Sequence, residues 1–269
     1  MASLLDFLDY VHATPPQGYL HDITPFIIGI TPRSGSSYLC DLLMKTEKVG
    51  NPDEYLNTFL LPEVLRTNPA TDIYTLIAKL AKQQAKNGIL GIKTTYLQVK
   101  ELIDANVMNT IFPDAKIVLL FRRNIVLQAV SLYRARESGV FHTNITPHDD
   151  DLNRLRMLPF DSDKLIANII HIADQEKEWM TFIQQSQIPF RIFLYEDFVG
   201  HEGETVNEIC AFLQTNCPDS PDPAQSSFQK LSSCVNIRWA ERFITENHQW
   251  LYEDILKSRT YLPSSYLSS

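Results

Sequence analysis

The sequence predicts an α/β fold: a P-loop-like parallel β-sheet flanked by helices on both faces, in a single domain covering residues 1–269. Three observations carry that expectation. Four short runs, PFIIGI (25–30), GILGIK (88–93), AKIVLLF (115–121) and PFRIFLYE (189–196), are apolar almost without interruption. Strands covered on both faces have that character. Helical patterns separate the runs, and strands alternating with helices imply right-handed βαβ crossovers. Finally, a Gly/Ser-rich stretch, GITPRSGSSYLC (29–40), follows the first run and opens the first helical pattern, the setting of a phosphate-binding turn. In such sheets ligands sit beyond the carboxyl ends of the strands, which gives each motif below an address.

The elements follow in chain order. MASLLDFLDYVHATPPQG has an apolar stripe, two acids and no basic leader, and reads as a surface helix rather than a signal peptide. Helices are expected over 36–46, 72–87, 97–109, 125–137, 163–187 and 236–257, with Asp72 placed to cap the second and Gly88 to stop it. TNCPDSPDPAQSSF (215–228) is the most turn-rich stretch and reads as a surface loop. There is no repeat and no Gly/Ser linker.

Bulk properties narrow the function. The chain has 269 residues, 44% hydrophobic and 21% charged, ordinary for a soluble enzyme with a sizeable core. A net charge of −8 argues against a sequence-independent nucleic-acid binder but allows a pocket with a few local cations. Cys40, Cys210, Cys217 and Cys234 lack CxxC or Cys/His spacing, so free thiols in a reducing compartment are expected and a zinc site is not. No apolar run reaches the length of a membrane span, and a cytoplasmic location is expected.

The turn carries the chemistry. Gly35 lets the backbone approach an anion, the amides of residues 34–37 are expected to point inward, and the following helix adds its N-terminal N–H groups. Ser34, Ser36 and Ser37 add hydroxyls. The triphosphatase pattern GxxxxGK[ST] fails: five residues separate Gly29 from Gly35, and Ser36 stands in place of the lysine. The cation is Arg33, before the turn, whose planar fork suits a tetrahedral oxyanion. A Ser-capped turn without a ligand has the same local sequence.

PRSGSSYL resembles the 5′-phosphosulfate turn of sulfotransferases, closest to the bacterial group of trehalose 2-sulfotransferase and the nodulation-factor sulfotransferases. The resemblance implies 3′-phosphoadenosine 5′-phosphosulfate (PAPS) as sulfuryl donor, with no metal. It spans about 25–245. The family also carries an Arg-x7-Ser pair for the 3′-phosphate, matched by Arg123 and Ser131 in RNIVLQAVS. By residues alone, Arg122, Arg123, Arg134 and Arg136 also read as a solvated helix face with partners such as Glu137.

Between the turn and the next helix lies VGNPDEYLN (49–57), similar to a Gly-x-Pro-x-Glu segment whose Glu faces the acceptor; the resemblance makes Glu54 the general base. Asp53 and Glu54 also suit a helix start. His142 is the competing base and is assigned to the acceptor site. GIKTTYLQ places Lys93 at the end of the second run, where the family shows Gly-x-Lys, with Tyr96 in place of a Trp expected to stack on a sugar. FLYEDFVGHEGETVNEICAFL and VNIRWAERF resemble later family segments and are assigned to the fold, with Trp239 in the core. The family's C-terminal Arg-Lys-Gly-type segment is not found; Lys230 or Arg238 substitute for it. Together these imply in-line sulfuryl transfer to a hydroxyl of a carbohydrate or glycolipid acceptor, with a homodimer as the expected assembly. The rivals are a P-loop-type ATP-dependent kinase and a non-catalytic nucleotide-binding protein of the same fold.

Overall fold

The computed structural model describes residues 3–141, 149–215, 226 and 234–262. Its sheet has four parallel strands, β1 (Thr24–Ile30), β2 (Ile89–Thr95), β3 (Lys116–Phe121) and β4 (Phe190–Leu194), in the order β2-β1-β3-β4. The continuous apolar runs become strands buried on both faces because successive side chains point opposite ways. Ile27, Ile117, Leu119 and Phe121 enter one core, while Phe26, Ile28, Val118 and Leu120 enter the other. β4 is an edge strand, and its first three residues are less covered.

Helices cover both faces. On one lie α1 (Ser36–Lys45) and α10 (Glu202–Phe212). On the other lie α3 (Ile73–Gln84), α4 (Tyr96–Asp104), α5 (Met108–Ile111) and the second half of α8 (Ser162–Ser186). α6 (Ile125–Ser138) packs with α8 and α11 (Cys234–Trp250) in a third core. Short helices α2 (Leu61–Thr67), α7 (Asp149–Met157) and α9 (Tyr195–Phe198) complete the described elements.

The strand order decides where a ligand can go. From β1 the chain moves to β2 on one side, then returns to β3 on the other. The crevice between the carboxyl ends of β1 and β3 is therefore the switch point of the sheet. Ile30 pairs with Leu120 in register, so Arg33 and Arg123 each lie three residues beyond the same rung.

Several expected boundaries change. The N-terminal stretch is no surface helix: one turn at Leu4–Asp6 is followed by chain that buries Leu8 and Tyr10, and the Ser3 and Tyr10 hydroxyls donate to Glu101 at 2.5 and 2.9 Å. Asp72 caps α3 as expected, accepting from the Thr75 amide at 2.9 Å. The helix ends at Gln84, before Gly88, which serves instead in the turn into β2. The helix expected over 97–109 divides into α4 and α5, with Asn106 left-handed at φ 55° between them. α11 kinks at Asn247, and Leu251–Ile255 continues as a wider π-type turn. β4 stops at Leu194 because Tyr195–Phe198 coils into α9. Most of the loop expected over 215–228 lies outside the described residues. Cys40 and Cys234 are free, but Cys210 is disulfide-bonded, which corrects the expectation of free thiols throughout. Among the described residues no helix is long and apolar enough to cross a membrane.

Candidate active site

The turn after β1 is a cradle of backbone donors. Gly35 caps α1 in the left-handed region at φ 92°, and a Cβ there would lie 2.3 Å from the Tyr195 ring. Only glycine meets both conditions. The amides of Gly35, Ser36 and Ser37 donate to no acceptor among the described residues, as the open first turn of a helix leaves them. The Ser34 amide differs from expectation: it turns back to the Thr31 carbonyl at 3.2 Å. The Ser34 hydroxyl is buried and has no partner among the described residues. Leaving such a group unpaired costs about 1–3 kcal/mol, so this hydroxyl is a ready donor to an acceptor placed in the turn. Gln128 on α6 pins the turn, donating to Thr31 Oγ1 at 2.8 Å and to the Pro32 carbonyl at 2.7 Å.

Arg33 leaves this turn at φ 66° and crosses to α6, where its Nε donates to Ser131 Oγ at 3.0 Å and its Nη1 to the Phe141 carbonyl. No acid among the described residues pairs with it. Burial, and then the field of Arg122, push its guanidinium below the usual arginine value. Two cations thus face one crevice, where an anion would relieve both.

At the end of β2 the expected acid, lysine and turn serine meet. Gly91 lets Pro52 pack on the strand, since a Cβ there would lie 2.7 Å from Pro52 Cγ. Asp53 then bridges to Ile92, its carbonyl accepting from the Lys93 amide at 3.0 Å. Glu54 is thereby held beside Lys93. Lys93 Nζ lies 3.1 Å from Glu54 Oε1, 3.4 Å from Ser37 Oγ and 3.9 Å from Asp53 Oδ1. Asn57 donates to the other Glu54 oxygen at 2.6 Å. Lys93 is 5% exposed. Burial opposes its charge, but Cys40 (once ionised), Glu54 and Asp53 outweigh that and hold its pKa above the ordinary lysine value. Burial pushes the Cys40 thiol itself up to about 12, so at neutral pH the carboxylates carry the effect.

The corner after β3 is built from charged side chains. Glu196 accepts the amides of Arg123 and Asn124 at 2.8 and 3.1 Å and lies 3.6 Å from Arg122 Nε. Arg123 Nη2 meets Asp197 at 2.5 Å, and the Arg122 guanidinium lies over the Tyr195 ring, 4.7 Å from its centroid. Ser131, expected to share a phosphate with Arg123, here accepts from Arg33. From the far side Arg259 donates to the carbonyls of Arg122 and Arg123.

The other expected residues are placed differently. Tyr96 is 8% exposed and packs edge-on against Trp179 at 5.5 Å, in the core rather than beside Lys93. His142 and Lys230 lie outside the described residues. Arg238 is exposed on α11, and Trp239 packs on Tyr133 and Phe160 in the third core. Among the described residues no three acids, histidines or cysteines gather to hold a metal ion. Sequence reasoning left Arg122, Gln128, Tyr195, Glu196 and Arg259 without roles at this edge. Only YEDF carried a signal, and it was assigned to the fold.

A sulfotransferase from Alicyclobacillus acidocaldarius superposes with a TM-score of 0.47 at 16% identity, covering 88% of this chain and 98% of that one. Sulfotransferase STF9 from Mycobacterium avium superposes at 0.46 and 12% identity, covering 88% and 79%. The sulfotransferase domain of the curacin biosynthetic pathway does so at 0.42 and 14%, covering 88% and 99%. A search of curated proteins gives no match. The family model described as Stf0 sulphotransferase matches residues 25–246, most of the chain, and by that match the chain belongs to the Stf0 sulfotransferase family.

Proposed function

We propose that this chain moves a sulfuryl group from PAPS to a hydroxyl of a carbohydrate or glycolipid. The observation that supports this most is the union, at one strand edge, of the Lys93–Glu54 pair with amides at 35–37 that are open and an Arg33 that has no acidic partner among the described residues. The donor's phosphosulfate would lie on the amides of 35–37, and Arg33 would leave Ser131 or Phe141 to meet it. The 3′-phosphate would go to Ser131 and Arg123, the latter exchanging Asp197 for it.

Glu54 would take the acceptor hydroxyl's proton as that oxygen bonds to sulfur, while the bond from sulfur to the 5′-phosphate oxygen breaks. The products are a sulfate ester, 3′-phosphoadenosine 5′-phosphate and a protonated Glu54. Lys93, between Glu54 and Ser37, would face the moving sulfuryl oxygens and neutralise charge as it shifts to the departing phosphate. Fixed donors of this kind need no rearrangement during the step.

The test joins binding to turnover. Melting temperature should rise with 3′-phosphoadenosine 5′-phosphate in the absence of magnesium, and PAPS with a sugar alcohol should release that nucleotide. Stabilisation only by adenosine triphosphate with magnesium would instead support a kinase. Binding without turnover across an acceptor panel would support a non-catalytic relative.

A further inference from the structure

Arg259 is a buried charge far along the chain from the turn after β1, the 49–57 segment and the corner after β3. Its side chain is 2% exposed and that of Glu176 0%. Nε and Nη2 hold the Glu176 carboxylate at 2.8 and 3.0 Å, while Nη2 and Nη1 donate to the carbonyls of Arg122 and Arg123 at 2.7 and 2.9 Å. The Tyr261 hydroxyl donates at 2.6 Å to Glu176 Oε2, the same oxygen that Arg259 Nε holds, and adds a second fix on the carboxylate.

The placement explains the need. Strand pairing of β3 ends at Phe121 opposite Leu194, so the Arg122 carbonyl has no ladder partner, while the Arg123 carbonyl also accepts from the Ile125 amide at 3.0 Å. Buried carbonyls require donors, and four acceptors around one planar group suit a guanidinium, whereas an ammonium cannot span them. An ion pair this deep is weak evidence for stability, because apolar replacements are often neutral or better. Its distinctive effect is geometric. Glu196 grips the amides of 123 and 124 and Arg259 the carbonyls of 122 and 123, so the 122–123 and 123–124 peptides are each held at both carbonyl and amide.

We infer that Arg259 is a positioning residue, which sets, through those two carbonyls, the direction in which Arg122 and Arg123 project into the crevice and hence the grip on the donor's 3′-phosphate. This rests on the nucleotide reading proposed above. Calorimetry of 3′-phosphoadenosine 5′-phosphate and of adenosine 5′-phosphate separates the two ideas, because their affinity ratio reports the 3′-phosphate alone.

In Arg259→Lys the ratio should fall about tenfold, with adenosine 5′-phosphate affinity within about twofold of the parent. In an Arg123→Ala background the same change should have little further effect on the ratio, as coupled residues behave. Tyr261→Phe, which removes one hydroxyl, should lower the ratio by a smaller factor and keeps the test alive if Arg259→Lys does not fold. A folded Arg259→Lys with the parent's ratio, or one weakened equally toward both nucleotides, overturns the inference, as does an unchanged ratio in Tyr261→Phe. A parent protein without preference for the 3′-phosphorylated nucleotide defeats the nucleotide reading and this inference together; a parent preference that survives in the variants defeats the inference alone.

Discussion

The turn after β1 and the corner after β3 face the same crevice, yet they present positive charge in opposite ways. The turn uses backbone: three open amides, a left-handed Gly35 and the start of α1. The corner uses side chains: Arg122 and Arg123 held by Glu196, Asp197 and Arg259, which come from β4's end and the C-terminal segment. A backbone cradle is encoded by adjacent residues, because conformation is a local property. A charged corner needs partners brought together by the whole fold. The first is rigid by construction, whereas the second is only as well aimed as the residues behind it.

The largest expected effect lies in neither region and sharpens the contrast between gripping and reacting. Glu54→Gln should lower kcat by about 10²–10⁴-fold, the range of a general base. Its donor affinity should match the parent in calorimetry; an unchanged kcat removes Glu54 from the chemistry. Next comes the side chain that reaches from the turn to α6. Arg33→Ala should cost about 10²–10³-fold in turnover and also weaken donor binding, since it removes a fixed donor to developing charge. A donor dissociation constant equal to the parent's would show that the cradle works by backbone alone.

Gly35→Ala attacks the cradle without touching a charge. A left-handed alanine costs roughly 1–2 kcal/mol, and the clash with Tyr195 adds overpacking. A melting temperature several degrees lower, with donor binding lost, is expected from thermal denaturation. A variant as stable as the parent would show that Tyr195 yields.

The smallest effect concerns the wall between α6 and α8. Burial, and then Arg136, push His171 below histidine's ordinary 6.5, with Asp174 acting in the opposite direction. Gln175 Nε2 lies 2.9 Å from its Nε2. The unfolded chain then binds the proton first as pH falls, so stability is lost below about pH 6.5. His171→Gln should flatten the denaturant-midpoint profile between pH 7 and 5, and an equal slope in both proteins would contradict it.

Legibility in the sequence follows the same divide. Continuous apolar runs marked the four strands because both faces of this sheet are covered, and Asp72 announced α3 through a local cap. Gly35, Ser36 and Ser37 were readable because a strand-turn-helix junction is local. Strand-end position singles out Lys93 and the resemblance singles out Glu54, but the bridge between 53 and 92 that sets them 3.1 Å apart is encoded by no local pattern. Tyr96 misled because a strand-end aromatic can turn inward as easily as outward, and here Trp179 receives it. Arg259 was invisible: its partners Glu176, Arg122 and Arg123 lie 83, 137 and 136 positions away. The N-terminal stretch looked like a surface helix because its apolar stripe is the same whether it faces solvent or, as here, Glu101 and the core.

The account depends most on one nucleotide being held at both ends, and a crystal structure of the protein with 3′-phosphoadenosine 5′-phosphate tests it most directly. The 5′-phosphate should lie within about 3 Å of the amides of Gly35, Ser36 and Ser37, and the 3′-phosphate within the same reach of Ser131 and Arg123. A nucleotide bound with its 3′-phosphate in solvent, or away from the β1–β3 crevice altogether, would contradict it.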